Sequence, residues 1–129
     1  MDITVVNVNT NDDRKWSFEM PNWANQFPLF MGDTYRHGGV CKKPCESLNL
    51  ATHIGDSLPD VLENRSIVAN HLGLSPKRIT CGNQVHGLNV VRITEDLIGA
   101  GSMRSDTAIP DCDAIYTDIP NVPLFLFTA

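Results

Sequence analysis

The stretch R-I-T-C-G-N-Q-V-H-G-L-N-V-V-R, residues 78–92, decides how the rest of the chain is interpreted. Apolar segments at its two ends predict two β-strands, and the polar, glycine-containing connection between them predicts a tight turn that carries His86. An imidazole and the Gln84 amide between two apolar strands are typical of binding sites. A lone histidine in this setting is nevertheless more often a hydrogen-bonded structural residue, so the stretch alone leaves both interpretations open.

Size and composition limit the class of protein. The chain has 129 residues, enough for one domain with a core, and it is 42% hydrophobic and 19% charged, which is typical of a globular protein. The formal net charge is −5 at pH 7, so there is no surplus of basic residues to neutralise nucleic-acid phosphates. We therefore expect no nucleic-acid partner.

Neither a secretory signal nor a membrane span is expected. The N-terminus, M-D-I-T-V-V, has no basic segment followed by a long apolar one, and no apolar run approaches the length needed to cross a bilayer. The expected location is the cytoplasm, where cysteines 41, 45, 81 and 112 remain thiols. Cys41 and Cys45 are four apart, but a structural zinc site needs a second close pair, which the sequence lacks. We expect neither a metal site nor a disulfide there.

Residues 58–72 predict the clearest helix of the chain, because their apolar side chains recur at helical spacing. Ser57 is a favourable N-cap, with Asp60 placed to complete a capping box, and Gly73 is a typical helix stop. The polar side chains of Asn64 and Arg65 are expected on or beside the solvent-exposed face.

The remaining segments predict strands and irregular loops. Residues 3–20 predict a hairpin, residues 22–27 a short helical turn, and further strands are expected at residues 78–81, 88–93, 114–117 and 124–127. The continuous apolar run 124–127 predicts a strand buried on both faces, and one helix is too little to cover about six strands. The expected fold is α+β, a mixed twisted β-sheet with packed helices, with residues 1–129 forming a single, apparently truncated domain. An exposed last strand would favour self-association.

Seven motifs in order carry a resemblance to a known family. They are T-Y-R-H-G-G-V, S-L-N-L-A-T-H-I-G-D, V-x-E-N-R, G-L-S-P-K-R-I, N-Q-V-H-G, D-C-D-A-I-Y-T-D and L-F-L-F-T-A. The series resembles the N-terminal half of the YfiH or laccase-domain family, over residues 29–129. The family was first described as multicopper polyphenol oxidases and is now described as zinc-dependent purine nucleoside enzymes, which catalyse phosphorolysis and adenosine deamination.

The resemblance implies site residues. His86, in Q-V-H-G, matches a zinc ligand, while Arg36 matches a catalytic arginine that contacts phosphate, for which a guanidinium fork is suited. Asn49 and Gln84 match polar pocket positions that would bind the purine nucleoside. The other two family ligands, a cysteine after T-A-D and a histidine in H-A-G-W, would come after Ala129. We therefore expect the chain as given to bind zinc poorly and to be inactive alone.

Two other functions stay open. The chain could be a non-catalytic remnant or binding module, or a hydrolase that edits peptidoglycan precursors; the residues do not separate the latter from purine chemistry. The residues encoded after Ala129 in the reading frame would discriminate the enzyme from the remnant. Copper-dependent phenol oxidation is disfavoured, since a multicopper site needs more than the four histidines present.

Overall fold

The structure, a computed structural model, describes residues 18–19 and 22–128. Within these ranges one α-helix, α1 (Leu58–His71), is accompanied by short strands and single 3-10 turns. The strands are β1 (Phe18–Glu19), β2 (Asp33–Thr34), β3 (Thr80–Cys81), β4 (Val90–Arg92), β5 (Ala114–Tyr116) and β6 (Leu124–Phe125). The 3-10 turns are Asn22–Gln26, Pro76–Arg78, Glu95–Leu97 and Ser105–Thr107. No helix in the described part of the chain is long and apolar enough to cross a membrane.

The described strands pair two by two. β1 and β2 are antiparallel, whereas β3 pairs with β6 and β4 with β5 in parallel. In the last pair Val90 lies opposite Ala114. Both parallel pairs join strands that are distant in sequence, and this arrangement with a single helix confirms the predicted α+β class.

Two apolar clusters form the core. One contains Leu48 and Val68 and is covered by Phe125 of β6, so α1 packs against the loop that precedes it and against the last strand. The other is built on Ile93, Ile109, Cys112 and Val122, and the inward side chains of β4 and β5 pack on it.

The ends of α1 follow the sequence in part. The helix ends at His71, just before the predicted stop Gly73, whose φ of 69° is readily adopted by glycine, and the Leu74 N–H donates to the Ala69 carbonyl at 2.9 Å. The predicted capping box is wrong, because Ser57 makes no side-chain cap bond. Instead, Asp56 accepts a hydrogen bond from the Ser57 N–H at 2.8 Å.

The expected exposure of Asn64 and Arg65 is also wrong, since both side chains are buried. Asn64 donates to the carbonyls of Ser47 and Asn49, at 2.9 Å each, and its Oδ1 accepts from the Val40 N–H at 2.8 Å. The loop therefore packs on α1 through these hydrogen bonds as well as through the apolar contact of Leu48 with Val68. The approach is close: a Cβ at position 39 would lie 2.3 Å from the Ser47 carbonyl oxygen.

Arg65 is the most unusual buried side chain. Its Nε donates to the Leu50 carbonyl at 2.8 Å, and its Nη1 donates to the carbonyls of Gly101 and Ser102 at 2.6 and 2.8 Å. The guanidinium lies 5.4 Å from the centroid of the Phe127 ring, a cation–π distance. Burial lowers the pKa of Arg65, but an arginine remains charged at neutral pH. One positive charge therefore joins two loops and the segment after β6 to α1.

Two further expectations concern the chain ends. The hairpin over residues 3–20 lies mostly outside the described residues, although strand β1 falls within it and pairs with β2. Residues 124–127 have the apolar pattern of a strand buried on both faces, but in this chain the last strand is expected to lie exposed, and Leu124 and Phe125 are only half-buried while Leu126 is 60% exposed. Self-association through this exposed strand stays a prediction.

Replacing Arg65 by methionine tests the role of the buried charge. Arg65→Met keeps most of the side-chain volume but leaves three buried carbonyls without a donor, so it should lower the free energy of unfolding by about 2–4 kcal/mol. Urea unfolding followed by circular dichroism measures the change. Arg92→Met is the matched control, because Arg92 is exposed and its partner Asp118 is exposed too; its midpoint should stay near that of the parent chain. Equal midpoints for the parent and Arg65→Met would show that the carbonyl bonds are dispensable.

Candidate functional site

Gln84 fixes the start of the turn between β3 and β4. Its side-chain amide donates to the Phe127 carbonyl at 3.0 Å and accepts from the Phe127 N–H at 2.9 Å. The amide thus extends the β3–β6 pairing by two further hydrogen bonds, in which a side chain takes the place of the backbone of β3. After these two bonds the amide keeps one donor and one acceptor site that no described residue uses.

The next three residues of the turn converge on one carboxylate. The N–H groups of Val85 and His86 donate to Oδ1 of Asp113 at 3.1 and 2.8 Å, and that of Gly87 donates to Oδ2 at 2.8 Å. These bonds, with the one from Gly87 the largest contribution, lower the pKa of Asp113. The carboxylate is thereby held ionised at the open end of the turn.

His86 is exposed and has a φ of 57°, in the left-handed region that non-glycine residues rarely adopt. Histidine is a common metal ligand, and this imidazole is exposed on a turn that backbone hydrogen bonds hold in place. Within the described residues, however, no group of three or more histidine, cysteine, aspartate or glutamate side chains is placed to hold a metal ion. The described part of the chain therefore does not by itself fit a zinc site, because a single imidazole does not chelate.

Arg36 lies in a different loop, which packs on α1. Its Nε and Nη2 donate to the Glu46 carbonyl at 3.0 and 2.9 Å, and its own carbonyl accepts from the N–H groups of Ser47 and Leu48, each at 2.8 Å. The side chain is exposed and its Nη1 has no protein partner among the described residues. Arg36 is thus held by its own loop through Nε and Nη2.

Asn49 is engaged with the loop that precedes α1. Its Nδ2 donates to Asp56 at 2.9 Å and to the Ala51 carbonyl at 3.3 Å, while its Oδ1 accepts from the Ala51 N–H at 2.9 Å. The hydrogen bond from Asn49 Nδ2 is the largest cause that lowers the pKa of Asp56, and a hydrogen bond from Cys41 is the second largest. A role for the Asn49 amide in binding a purine stays a prediction.

Phe127 joins the predicted site residue Gln84 to two further side chains, Arg65 and His53. Its backbone binds Gln84, its ring lies over Arg65, and His53 packs edge-on against it with 5.7 Å between ring centroids. Gln84 and His86 share one turn. The partners of Arg36 belong to a separate loop, so the described contacts do not join Arg36 to that turn.

Sequence reasoning missed three residues of this region: Arg65, Asp113 and Asp56. The first two lie within the motifs V-x-E-N-R and D-C-D-A-I-Y-T-D, so the signal was present in the resemblance but had no role attached to it. Asp56 likewise ends the motif S-L-N-L-A-T-H-I-G-D, and its contacts could not be assigned because they depend on the folded loop.

The described cysteines are all free thiols, as predicted. Burial, aided by a hydrogen bond to Asp56, raises the pKa of Cys41 to about 12, and the pKa of Cys45 is raised for the same reasons. Both thiols are therefore protonated and weakly nucleophilic at neutral pH. Among the described residues Cys41 and Cys45 do not belong to a group of three or more side chains that could hold a metal ion.

The comparisons with known proteins agree on one family. The sequence pattern of a family described as "Multi-copper polyphenol oxidoreductase laccase" matches residues 30–129. The protein named purine nucleoside phosphorylase YlmD of Geobacillus stearothermophilus is 40% identical over 95 residues, covering 74% of this chain and 35% of that protein. YlmD of Bacillus subtilis is 34% identical over 109 residues, covering 81% and 39%.

Solved structures give the same result. The structure of the Bacillus licheniformis protein YfiH matches with a TM-score of 0.74 at 34% identity, covering 76% of this chain and 37% of that one. The structure of YlmD from Geobacillus stearothermophilus also matches with a TM-score of 0.74, at 40% identity, covering 76% and 36%. The chain thus spans 35–39% of the length of these relatives.

The bond from Asn49 to Asp56 predicts a measurable shift in pKa. Asn49→Ala removes the largest cause that lowers the pKa of Asp56, so that pKa should rise. A carboxyl group whose pKa is lowered by folding stabilises the protein above its unfolded pKa, and this stabilisation is lost as the pH falls through its folded pKa. In Asn49→Ala the loss should begin at higher pH. Carbon-13 NMR titration of the Asp56 carboxyl group measures the change, with Asn70→Ala on the exposed face of α1 as control; identical midpoints in Asn49→Ala and the parent would contradict it.

Proposed function

This chain belongs to the laccase-domain family, and from that membership we propose that it forms part of a zinc-dependent purine nucleoside phosphorylase site. The observation that carries the proposal is the 40% and 34% identity to two proteins named purine nucleoside phosphorylase YlmD, over a region that includes the His86 turn. The chain covers 35% and 39% of those proteins, so the reaction is proposed for the complete fold and not for these residues alone.

The reaction defines the groups that the site must supply. In phosphorolysis a phosphate oxygen forms a bond to C1′ of the sugar while the bond from C1′ to the purine nitrogen breaks, and the base leaves with a proton. The site therefore needs a phosphate contact, a group that stabilises positive charge developing on the sugar, and contacts that hold the leaving base.

Three residues of the chain are assigned to these tasks. Nη1 of Arg36 is proposed to bind phosphate, which is supported by the anchoring of Nε and Nη2 on Glu46. The amides of Gln84 and Asn49 are proposed to contact the nucleoside. Gln84 is the better supported, because it keeps a free donor and acceptor site after binding Phe127.

His86 is proposed as one zinc ligand of the complete site. The support is its exposure on a turn fixed by backbone bonds. Since one imidazole does not chelate, zinc at His86 requires ligands beyond the described residues. For the same reason we propose that the 129 residues alone do not turn over a nucleoside.

The reaction class is tested with the chain and with a fusion. The fusion joins residues 30–129 to the part of Geobacillus stearothermophilus YlmD that lies after the matched stretch. We expect the fusion to release hypoxanthine from inosine only when phosphate is present, and the 129-residue chain to release none. Hypoxanthine release without phosphate would indicate hydrolysis, ammonia release from adenosine would indicate deamination, and either result without phosphorolysis would replace the proposal.

The role of His86 is tested in the same fusion. His86→Ala should lower the rate of phosphorolysis by about a hundredfold or more and lower the zinc content, measured by elemental analysis. His71→Ala, a second exposed histidine placed on α1, is the matched control and should leave both values unchanged. Full zinc content in His86→Ala would remove His86 from the ligand set. Turnover by the 129-residue chain alone would overturn its proposed inactivity.

A further inference from the structure

The segment that leads into β5 is held against the turn between β3 and β4. The Cys112 N–H donates to the Asn83 carbonyl at 3.0 Å, and Asn89 Nδ2 donates to the Asp111 carbonyl at 2.9 Å. Val90, directly after Asn89, lies opposite Ala114, directly after Asp113, in the parallel pair. The register of β4 and β5 therefore places Asp113 beside the turn.

The carboxylate of Asp113 occupies the turn in the way that a bound anion occupies a cluster of backbone N–H groups. Three successive N–H groups point at its two oxygens, and Val85 bonds both of them, at 3.1 and 3.2 Å. Successive N–H groups around a left-handed residue form a concave site that favours negative charge. Here the chain itself supplies that charge.

The conformation of His86 depends on this arrangement. A φ of 57° costs free energy for a residue with a Cβ atom, so it persists only where the surroundings enforce it. The hydrogen bonds on His86 itself and on both of its neighbours go to the same carboxylate, and they enforce it from both sides. With His86 in this conformation the imidazole is exposed.

We propose that Asp113 is the positioning residue of His86: its carboxylate sets the backbone conformation that presents the imidazole to the site. The assignment of His86 to a site rests on the proposed function. The claim that Asp113 sets the backbone conformation of His86 does not rest on the proposed function, because it concerns four hydrogen bonds within the chain.

The two oxygens of Asp113 allow a graded test in the full 129-residue chain. Asp113→Ala removes all acceptors, so amide exchange with solvent should become about five- to tenfold faster at Val85, His86 and Gly87. Asp113→Asn keeps one oxygen, which can still serve Val85 and His86, but its amino group cannot accept from Gly87. In Asp113→Asn we expect faster exchange at Gly87 and near-parent exchange at His86.

A second NMR signature reports the backbone directly. A residue with positive φ gives a strong nuclear Overhauser effect between its own Hα and amide proton. This signal at His86 should be present in the parent, weakened in Asp113→Ala and restored in Asp113→Asn. A general loss of stability would not produce this pattern, in which Asp113→Asn restores the signal at His86 while amide exchange at Gly87 stays faster than in the parent.

Two controls make the result decisive. Asp118→Asn removes the same charge from an exposed carboxylate that binds Arg92, and it should leave the three turn amides unchanged. The Ile93 amide, which donates to the Tyr116 carbonyl at 2.7 Å, should be unchanged in both Asp113 variants. Unchanged exchange at all three turn amides in Asp113→Ala, or equal changes at Ile93, would overturn the proposal. Since the readout needs no turnover, the proposal stands or falls separately from phosphorolysis.

Discussion

The buried guanidinium of Arg65 holds together three segments that are far apart in the sequence. It bonds the carbonyls of Leu50, Gly101 and Ser102 and lies under the ring of Phe127, while the backbone that carries it belongs to α1. Carbonyl oxygens of two loops compensate in part for the loss of hydration that burial of this charge entails, since Nε and Nη1 are bonded while the buried Nη2 has no partner among the described residues. The loops can therefore pack on the helix with few apolar side chains of their own, which suits a chain with one helix and short strands.

The candidate site is built on this arrangement step by step. Arg65 holds Phe127, the backbone of Phe127 binds the Gln84 amide, and Gln84 begins the turn whose N–H groups bind Asp113. Each contact fixes the position of the next. The exposed imidazole of His86 thus lies at the end of a series of polar contacts that starts in the core. A substitution at Arg65 is expected to reach the turn through this series.

Much of the fold and of the site could be predicted where local chemistry decides the outcome. Helix α1 ends at His71, just before the predicted stop Gly73, and the motifs around His86 identified the family. Asn64 and Arg65 were misplaced because helical periodicity assigns polar residues to solvent, whereas here loop carbonyls compete successfully with water for their donors. Asp113 could not be assigned a role from sequence, since only the parallel pairing of β4 and β5 brings it to the turn. Likewise, the exposure of Leu126 depends on the segments that pack against β6, which a local apolar pattern does not report.

The most direct test of the buried charge is the exchange of the Arg65 Hε proton with solvent, measured by nitrogen-15 NMR at neutral pH. Because Nε donates to the Leu50 carbonyl at 2.8 Å in a buried position, we expect this proton to exchange on the order of a hundredfold more slowly than the Hε of exposed Arg92. Its signal should also show contacts to the Phe127 ring. Exchange at the same rate as Arg92 would mean that the guanidinium is solvated, and the central claim would be wrong.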